Sequence, residues 1–457
     1  MARFAPAPSR QRLRRVLIKL AAHVLALLIV AGCATQAQQL MPTPSLYLAP
    51  SGQPVFNLAS DVRPSPDINL LYITDRARET SPASTLPYGQ ERAKRIVFGT
   101  AQVRMVPPID WSALRAQSRL AKRTREIELE LGPVRQLGAF PLEPYLVTRS
   151  PDGFLLRDRA ELACYAAAKR ALTAEVEQRL KDLPKKEILL YVHGFNETFA
   201  NAAYTTAELC HFLGREPVCA FFTWPASSSG NFLISYTNTT ETADYSVDHL
   251  KKTIRMLAAT PGVQGLQLLA HSRGTAIMLE AVRELALEAI ASGKEPADLY
   301  KIDNLVLFSP DIDVDIATQQ ITGLISDPDL ATVWPAGRLP RILKGRLTIY
   351  ASPEDRALRV SQILFRSRNC VGQLRPEDLS PKAQAYLAML GRVDLITYEG
   401  ERTDFFGHSY FTSNPEVSSD LIELLRYGKR LGEPGRQLIR TGPTTWKFPV
   451  KMATSGT

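Results

Sequence analysis

From residue 66 onward, short apolar runs alternate with longer amphipathic stretches, and this rhythm restricts the fold more than any other feature of the chain. A run of about four to eight apolar residues suits a strand buried on both faces, whereas apolar positions three and four apart bury one face of a helix. In alternation they build a layered α/β sheet rather than a bundle or a sandwich. Leu70–Thr74, Ile188–Val192, Val218–Phe222, Leu266–Ala270, Leu305–Phe308, Leu347–Ala351 and Val393–Tyr398 are the expected strands. Met278, Val282, Leu285 and Ala289 give the clearest helical stripe. Ile96–Val106 and Ile127–Leu131 flank a basic segment, Arg115–Arg125, and read as an antiparallel beginning of the same sheet, with an insertion over about residues 107–150. Past Tyr427, Gly432, Pro434, Gly435 and Pro443 interrupt any period, so residues 431–457 are expected to be an irregular tail. No internal repeat is visible.

With 457 residues, 45% of them hydrophobic, the chain has material for a large core and is too apolar for disorder. Its formal charge of +9 is concentrated at the start: Arg3, Arg10, Arg12, Arg14, Arg15 and Lys19 precede any acidic residue. Taking these six from +9 leaves +3, a balance that gives no reason to expect nucleic acid. The basic stretch, the apolar run Leu20–Ala31 and the small residues after it have the layout of a secretory signal, residues 1–32. The run is short for a membrane span, which needs about 20 apolar residues. Val30–Cys33, VAGC, resembles the bacterial lipobox, which implies lipidation of Cys33. Ala34 after it resembles the pattern sent to the outer membrane, so the expected location is the cell envelope, lipid-anchored and facing the periplasm. Residues 33–65, rich in Gln, Pro, Ser and Ala, read as a flexible tether. Cys164, Cys210, Cys219 and Cys370 remain; Cys210 and Cys219, close in the chain, are the preferred disulfide pair, the alternative being small buried hydrophobes. No cysteine or histidine spacing suggests a metal site, and no cofactor is expected.

The segment LQLLAHSRGTAIMLEAV places Ser272 between an apolar run and an amphipathic helix. A strand, tight turn and helix of this kind forms a nucleophile elbow, in which the residues two before and two after the serine must be small. Here they are Ala270 and Gly274. A serine hydroxyl needs a base, and the chain has six histidines. His23 lies in the signal, His211 and His249 in helical stretches, His193 and His271 in turns. His408, after the last expected strand, stands where the order nucleophile, acid, histidine puts its base. The acid that orients it is expected to be Asp355, just past Leu347–Ala351, with Asp313 in reserve and Asp311 beside it; otherwise these carboxylates are helix caps. The oxyanion of an acyl-transfer transition state needs backbone donors. Arg273, after the serine, and Phe195, in the turn containing His193 and Gly194, are the candidates. Phe195, Trp224, Phe405 and Phe406 could line an apolar acyl pocket or pack as core.

In order, HGFN, FTWP, AHSRGT, FSPDID, ASPEDRAL and FFGHSYF resemble a bacterial family of uncharacterised esterase/lipase-type alpha/beta hydrolases, over roughly residues 68–430 from LLYITDR and YGQERA onward. The resemblance implies the alpha/beta-hydrolase fold, a mostly parallel central sheet flanked by helices, in a domain spanning 66–430. It also implies Ser272, Asp355 and His408 as a triad. The expected activity is hydrolysis of carboxylic esters or thioesters, the substrate being a small-molecule or lipid ester. An acyltransferase would use the same residues, and a non-catalytic envelope lipoprotein could use the fold as a binding scaffold.

Overall fold

Strand β7, Glu187–Val192, shows how the sheet forms: Ile188, Leu190 and Val192 enter one apolar core while Leu189 and Tyr191 enter another on the opposite face. Both faces are covered, so the strand is apolar at successive positions and not alternately polar. In this computed structural model the described residues are 38–48, 53–56, 64–226, 232–323, 326–329, 334, 338–365, 369–402 and 406–449. The expected signal at 1–32, Cys33 and Phe405 lie outside them.

Among the described residues the remaining strands are β1 (Gln38–Gln39), β2 (Ile68–Arg78), β3 (Tyr88–Val106), β4 (Glu128–Ala139), β5 (Val147–Arg149), β6 (Leu155–Arg157), β8 (Val218–Thr223), β9 (Gly265–His271), β10 (Ile302–Phe308), β11 (Leu347–Ala351), β12 (Val393–Thr397), β13 (Ile439–Arg440) and β14 (Thr445–Lys447). Twelve of them form one sheet in the order β1-β4-β3-β2-β8-β7-β9-β10-β11-β12-β14-β13. From β2 to β14 neighbours are parallel; β1, β4, β3 and β2 pair antiparallel, as do β13 and β14. All seven expected strands are present, and the antiparallel beginning is as read from the sequence. The helices Arg159–Leu180, Phe232–Ala258 and Gly274–Ala291 cover one face, and Phe199–Phe212 and Pro415–Leu425 the other. Met278, Val282, Leu285 and Ala289 are all buried.

Three expectations need correction. The stretch 107–150 is not wholly an insertion, because β4 pairs along β3 from Val97 to Val106 and is part of the main sheet. The tail is not wholly irregular either: β14 extends the sheet beside β12, although three residues are too few to show a period. The segment after Cys33 is not a free tether where it is described. Leu40, Met41, Tyr47, Val55 and Phe56 are buried in the core, and side chains from distant positions bond to several of them. Glu208 accepts from Met41 N at 2.6 Å, Arg123 donates to Leu40 O at 2.6 Å, and Arg426 donates to Tyr47 Oη at 2.9 Å and Val55 O at 2.8 Å. Such an extended segment docks without any periodicity of its own. Cys210 and Cys219 form a disulfide, joining the end of Phe199–Phe212 to the start of β8; Cys164 is exposed and Cys370 buried, both as free thiols.

Candidate active site

β9 ends at His271, and the helix Gly274–Ala291 begins three residues later, so Ser272 occupies the turn. Its φ is 52°, the left-handed region that costs a non-glycine residue about 1 kcal/mol or more. The surroundings over-determine that conformation. Ser272 N donates to Phe308 O at 2.9 Å, and Ser272 O accepts from Thr275 N at 3.0 Å and Thr275 Oγ1 at 2.6 Å. A side chain at 274 would strike the carbonyl oxygen of His193, which explains Gly274, and Ala270 is fully buried beneath the turn. The serine thereby stands at the carboxyl edge of the sheet beside a helix N-terminus, where developing negative charge is favoured.

The loop after β7 lies against this turn. A Cβ on Gly194 would come within 2.7 Å of Ser272 Cβ and 3.3 Å of its Oγ. Asn196, with φ 59°, completes the bend. The His193 ring is stacked on Trp224 at a centroid distance of 5.6 Å, and Trp224 Nε1 donates to His193 O at 2.9 Å. Trp224 is fully buried and is therefore core packing under the loop, not the wall of an open acyl pocket; Phe195 and Phe406 are half-buried. Burial, and then the nearby Arg76 charge, hold His193 well below the usual histidine range. Its contacts fit the neutral form: Nδ1–H donates to Gly194 O at 2.8 Å, and Nε2 receives the Thr223 hydroxyl at 2.9 Å and Trp224 N at 3.2 Å.

His408 and Asp355 meet from separate loops. Nδ1 of His408 lies 2.6 Å from Oδ2 of Asp355, with the aspartate fully buried and the histidine side chain 15% exposed. With Oδ2 accepting, the proton of the contact sits on Nδ1, and Nε2 of the neutral ring is the unprotonated nitrogen. Three contacts position the pair. Arg356 N donates to Phe406 O at 2.9 Å, joining the two loops; Asp355 Oδ1 accepts from Leu358 N at 3.2 Å; and His271 Nε2–H donates to His408 O at 3.1 Å. The His271 and His408 rings are 4.5 Å apart, so the imidazole is docked on the residue immediately preceding Ser272. Burial holds His271 itself well below the usual histidine range.

The structure brings Ser272, His408, Asp355, Gly194 and Arg273 to one edge of the sheet and sends the reserve acid elsewhere. Asp313 caps the helix Val314–Thr318, accepting from Asp315 N at 2.9 Å. Asp311 pairs with the Arg273 side chain at 3.1 Å and accepts from Ser361 Oγ at 2.6 Å. Arg76, which reaches the Gly194 loop from β2, closes the segment LLYITDR directly after Asp75, and nothing in that local pattern assigns it a role. A 360 Å³ apolar cleft lined by Leu279, Val282, Leu305, Leu347 and Val393 opens toward the amino ends of the strands, away from Ser272. Among the described residues no cluster of His, Cys, Asp and Glu is arranged to hold a metal ion.

The sequence pattern of the family described as "Alpha/beta hydrolase of unknown function (DUF900)" matches residues 168–426, more than half of the chain. No curated protein matches. Solved structures with a similar fold include Zea mays acyl-protein thioesterase 2, 14% identical over 53% of this chain and 94% of its own, with a TM-score of 0.28. An esterase from Pyrobaculum calidifontis is 12% identical over 55% and 79%, TM-score 0.27, and Est1E from Butyrivibrio proteoclasticus is 12% identical over 55% and 91%, TM-score 0.25. Superpositions this loose carry no argument about chemistry. With a pattern match over residues 168–426 and a mostly parallel central sheet, the chain belongs to this family of alpha/beta hydrolases of unknown function.

Proposed function

We propose that the protein is a serine hydrolase that cleaves carboxylic esters or thioesters through an acyl-serine intermediate. His408 Nε2 takes the Ser272 proton as Oγ attacks the carbonyl carbon, and Asp355 steadies the imidazolium that results. The N–H groups of Phe195 and Arg273 receive the oxyanion; His408 then protonates the leaving group, and water, deprotonated by the same imidazole, releases the acid. The observation that carries this reading is the 2.6 Å His408–Asp355 pair docked beside a serine held at φ 52°. Incubation with a fluorophosphonate probe tests it: the wild-type chain labels and Ser272→Ala does not. Folded wild-type protein that resists the probe would instead favour a binding scaffold.

The same proposal places the enzyme in the bacterial envelope, anchored through a lipid on Cys33. The VAGC segment motivates the anchor, and the Cys210–Cys219 disulfide suits an oxidising compartment. Metabolic labelling with an alkyne fatty acid should mark the wild-type chain and leave Cys33→Ala unmarked; equal labelling of both removes the anchor.

A further inference from the structure

The Arg76 guanidinium has five N–H donors, and each has an acceptor. Nε donates to Thr223 Oγ1 at 2.8 Å; Nη1 donates to Gly89 O at 3.0 Å and Gln90 Oε1 at 2.8 Å; Nη2 donates to Glu197 O at 2.6 Å and lies 3.3 Å from His193 Nε2, sharing its lone pair with the Thr223 hydroxyl. The side chain is 1% exposed, so it cannot serve as a surface charge or greet a substrate directly. Burial pulls its pKa down to about 9, against the opposing pull of the nearby Asp75 and Glu197 carboxyls.

What those five bonds connect is specific. Two go to β3, which anchors the guanidinium to the antiparallel part of the sheet. One goes to Thr223 at the end of β8, whose hydroxyl hydrogen is thereby directed to His193 Nε2. The other two reach the first and last residues of the loop 193–197, the segment that carries Phe195 N–H past Ser272. Within that loop, Gly194 lies against Ser272 and Asn196 turns the chain at a positive φ, so the course of the segment decides where Phe195 N–H stands.

We propose that Arg76 is the positioning residue of the oxyanion loop, clamping residues 193 and 197 with one guanidinium nitrogen so that Phe195 N–H stays beside the nucleophile. This inference rests on the serine-hydrolase reading given above. A lysine cannot substitute for it, because a single ammonium offers three donors from one point and cannot span β3, β8 and both loop ends.

The test compares kcat and KM for p-nitrophenyl butyrate in Arg76→Ala, Arg76→Lys and Gln90→Ala. Loss of one oxyanion donor lowers kcat about 10²–10³-fold elsewhere, and Arg76→Ala should approach that with KM changed by less than about threefold. Fluorophosphonate labelling should slow in parallel, since the phosphonyl oxygen uses the same donors. Free guanidinium ion should restore part of the lost kcat, whereas sodium chloride at equal ionic strength should not. Gln90→Ala, which removes a contact to the same guanidinium on the side away from the loop, should keep kcat within about threefold. If Arg76→Ala does not fold, Thr223→Val replaces it as the decisive variant, with an expected loss of about tenfold in kcat. Folded Arg76→Ala with wild-type kcat overturns the proposal, as does a loss that guanidinium cannot reverse and that Gln90→Ala reproduces. A wild-type chain that neither turns over nor labels overturns the serine-hydrolase reading and this proposal with it, an outcome distinct from an active wild type with an indifferent Arg76.

Discussion

Gly194 and Ser272 touch so closely that a methyl group on the first would stand 2.7 Å from Cβ of the second. The contact sets the distance between Ser272 and the loop proposed to hold the oxyanion. Gly194→Ala must push one of them away, and overpacking of this kind costs about 1–3 kcal/mol of stability. The predicted result is a folded protein with a lowered Tm and a kcat reduced about 10²-fold or more, read by ester hydrolysis beside a thermal melt. Unchanged turnover would mean that the loop plays no part in the chemistry.

Asp355 and Asp313 separate by role. Asp355→Asn leaves the shape intact but lets His408 adopt the wrong tautomer, and the expected loss in kcat is about 10³–10⁴-fold. Asp313→Ala removes a helix cap, costing about 1 kcal/mol of stability and leaving turnover essentially unchanged. Kinetics on both variants distinguish the assignments, since the opposite pattern would make Asp313 the acid.

The strands, the Ser272 turn and the stripe of Gly274–Ala291 were legible because each is written in consecutive residues: a run, a small-residue pair, a period. His408 and Asp355 could be picked from chain order, as few histidines were available and strand ends are where such loops lie. Arg76 could not be read in this way, because its acceptors come from residues 89, 90, 193, 197 and 223, none adjacent to it in sequence. The docking of Leu40, Met41 and Val55 was hidden for the same reason: Glu208, Arg123 and Arg426 supply the partners that a local pattern would otherwise have to show. β14 was missed because three residues, Thr445–Lys447, are shorter than any detectable period.

His249 is buried with Nδ1 3.0 Å from Asp75 and Nε2 3.4 Å from Glu143. Burial pulls its pKa down, but the two carboxylates outweigh burial and raise it from 6.5 to about 9. A histidine raised in the folded state contributes its stability fully below the unfolded value of 6.5, and that contribution disappears as pH rises through about 9. The Tm gap between wild type and His249→Gln should therefore be widest in mildly acidic buffer below about pH 6.5 and shrink as pH rises through about 9. A gap independent of pH across that window would show that the imidazolium is not the stabilising form.

The Cys210–Cys219 bridge closes a short loop, the two cysteines lying nine positions apart in sequence. By the chain-entropy account a loop of this size is worth about 2–3 kcal/mol. The double variant Cys210→Ser/Cys219→Ser should unfold at a lower denaturant midpoint by that margin, while retaining turnover because the bridge lies at the amino end of β8, away from Ser272. Equal midpoints would mean that the bridge adds no net stability.

The most direct measurement is the mass of the protein quenched in acid during turnover of a p-nitrophenyl ester. The predicted spectrum gains one acyl group, mapped by peptide fragmentation to Ser272, with no such adduct in Ser272→Ala and a slowed appearance in His408→Ala. Turnover with the acyl group on another residue, or undiminished turnover in Ser272→Ala, would contradict the account.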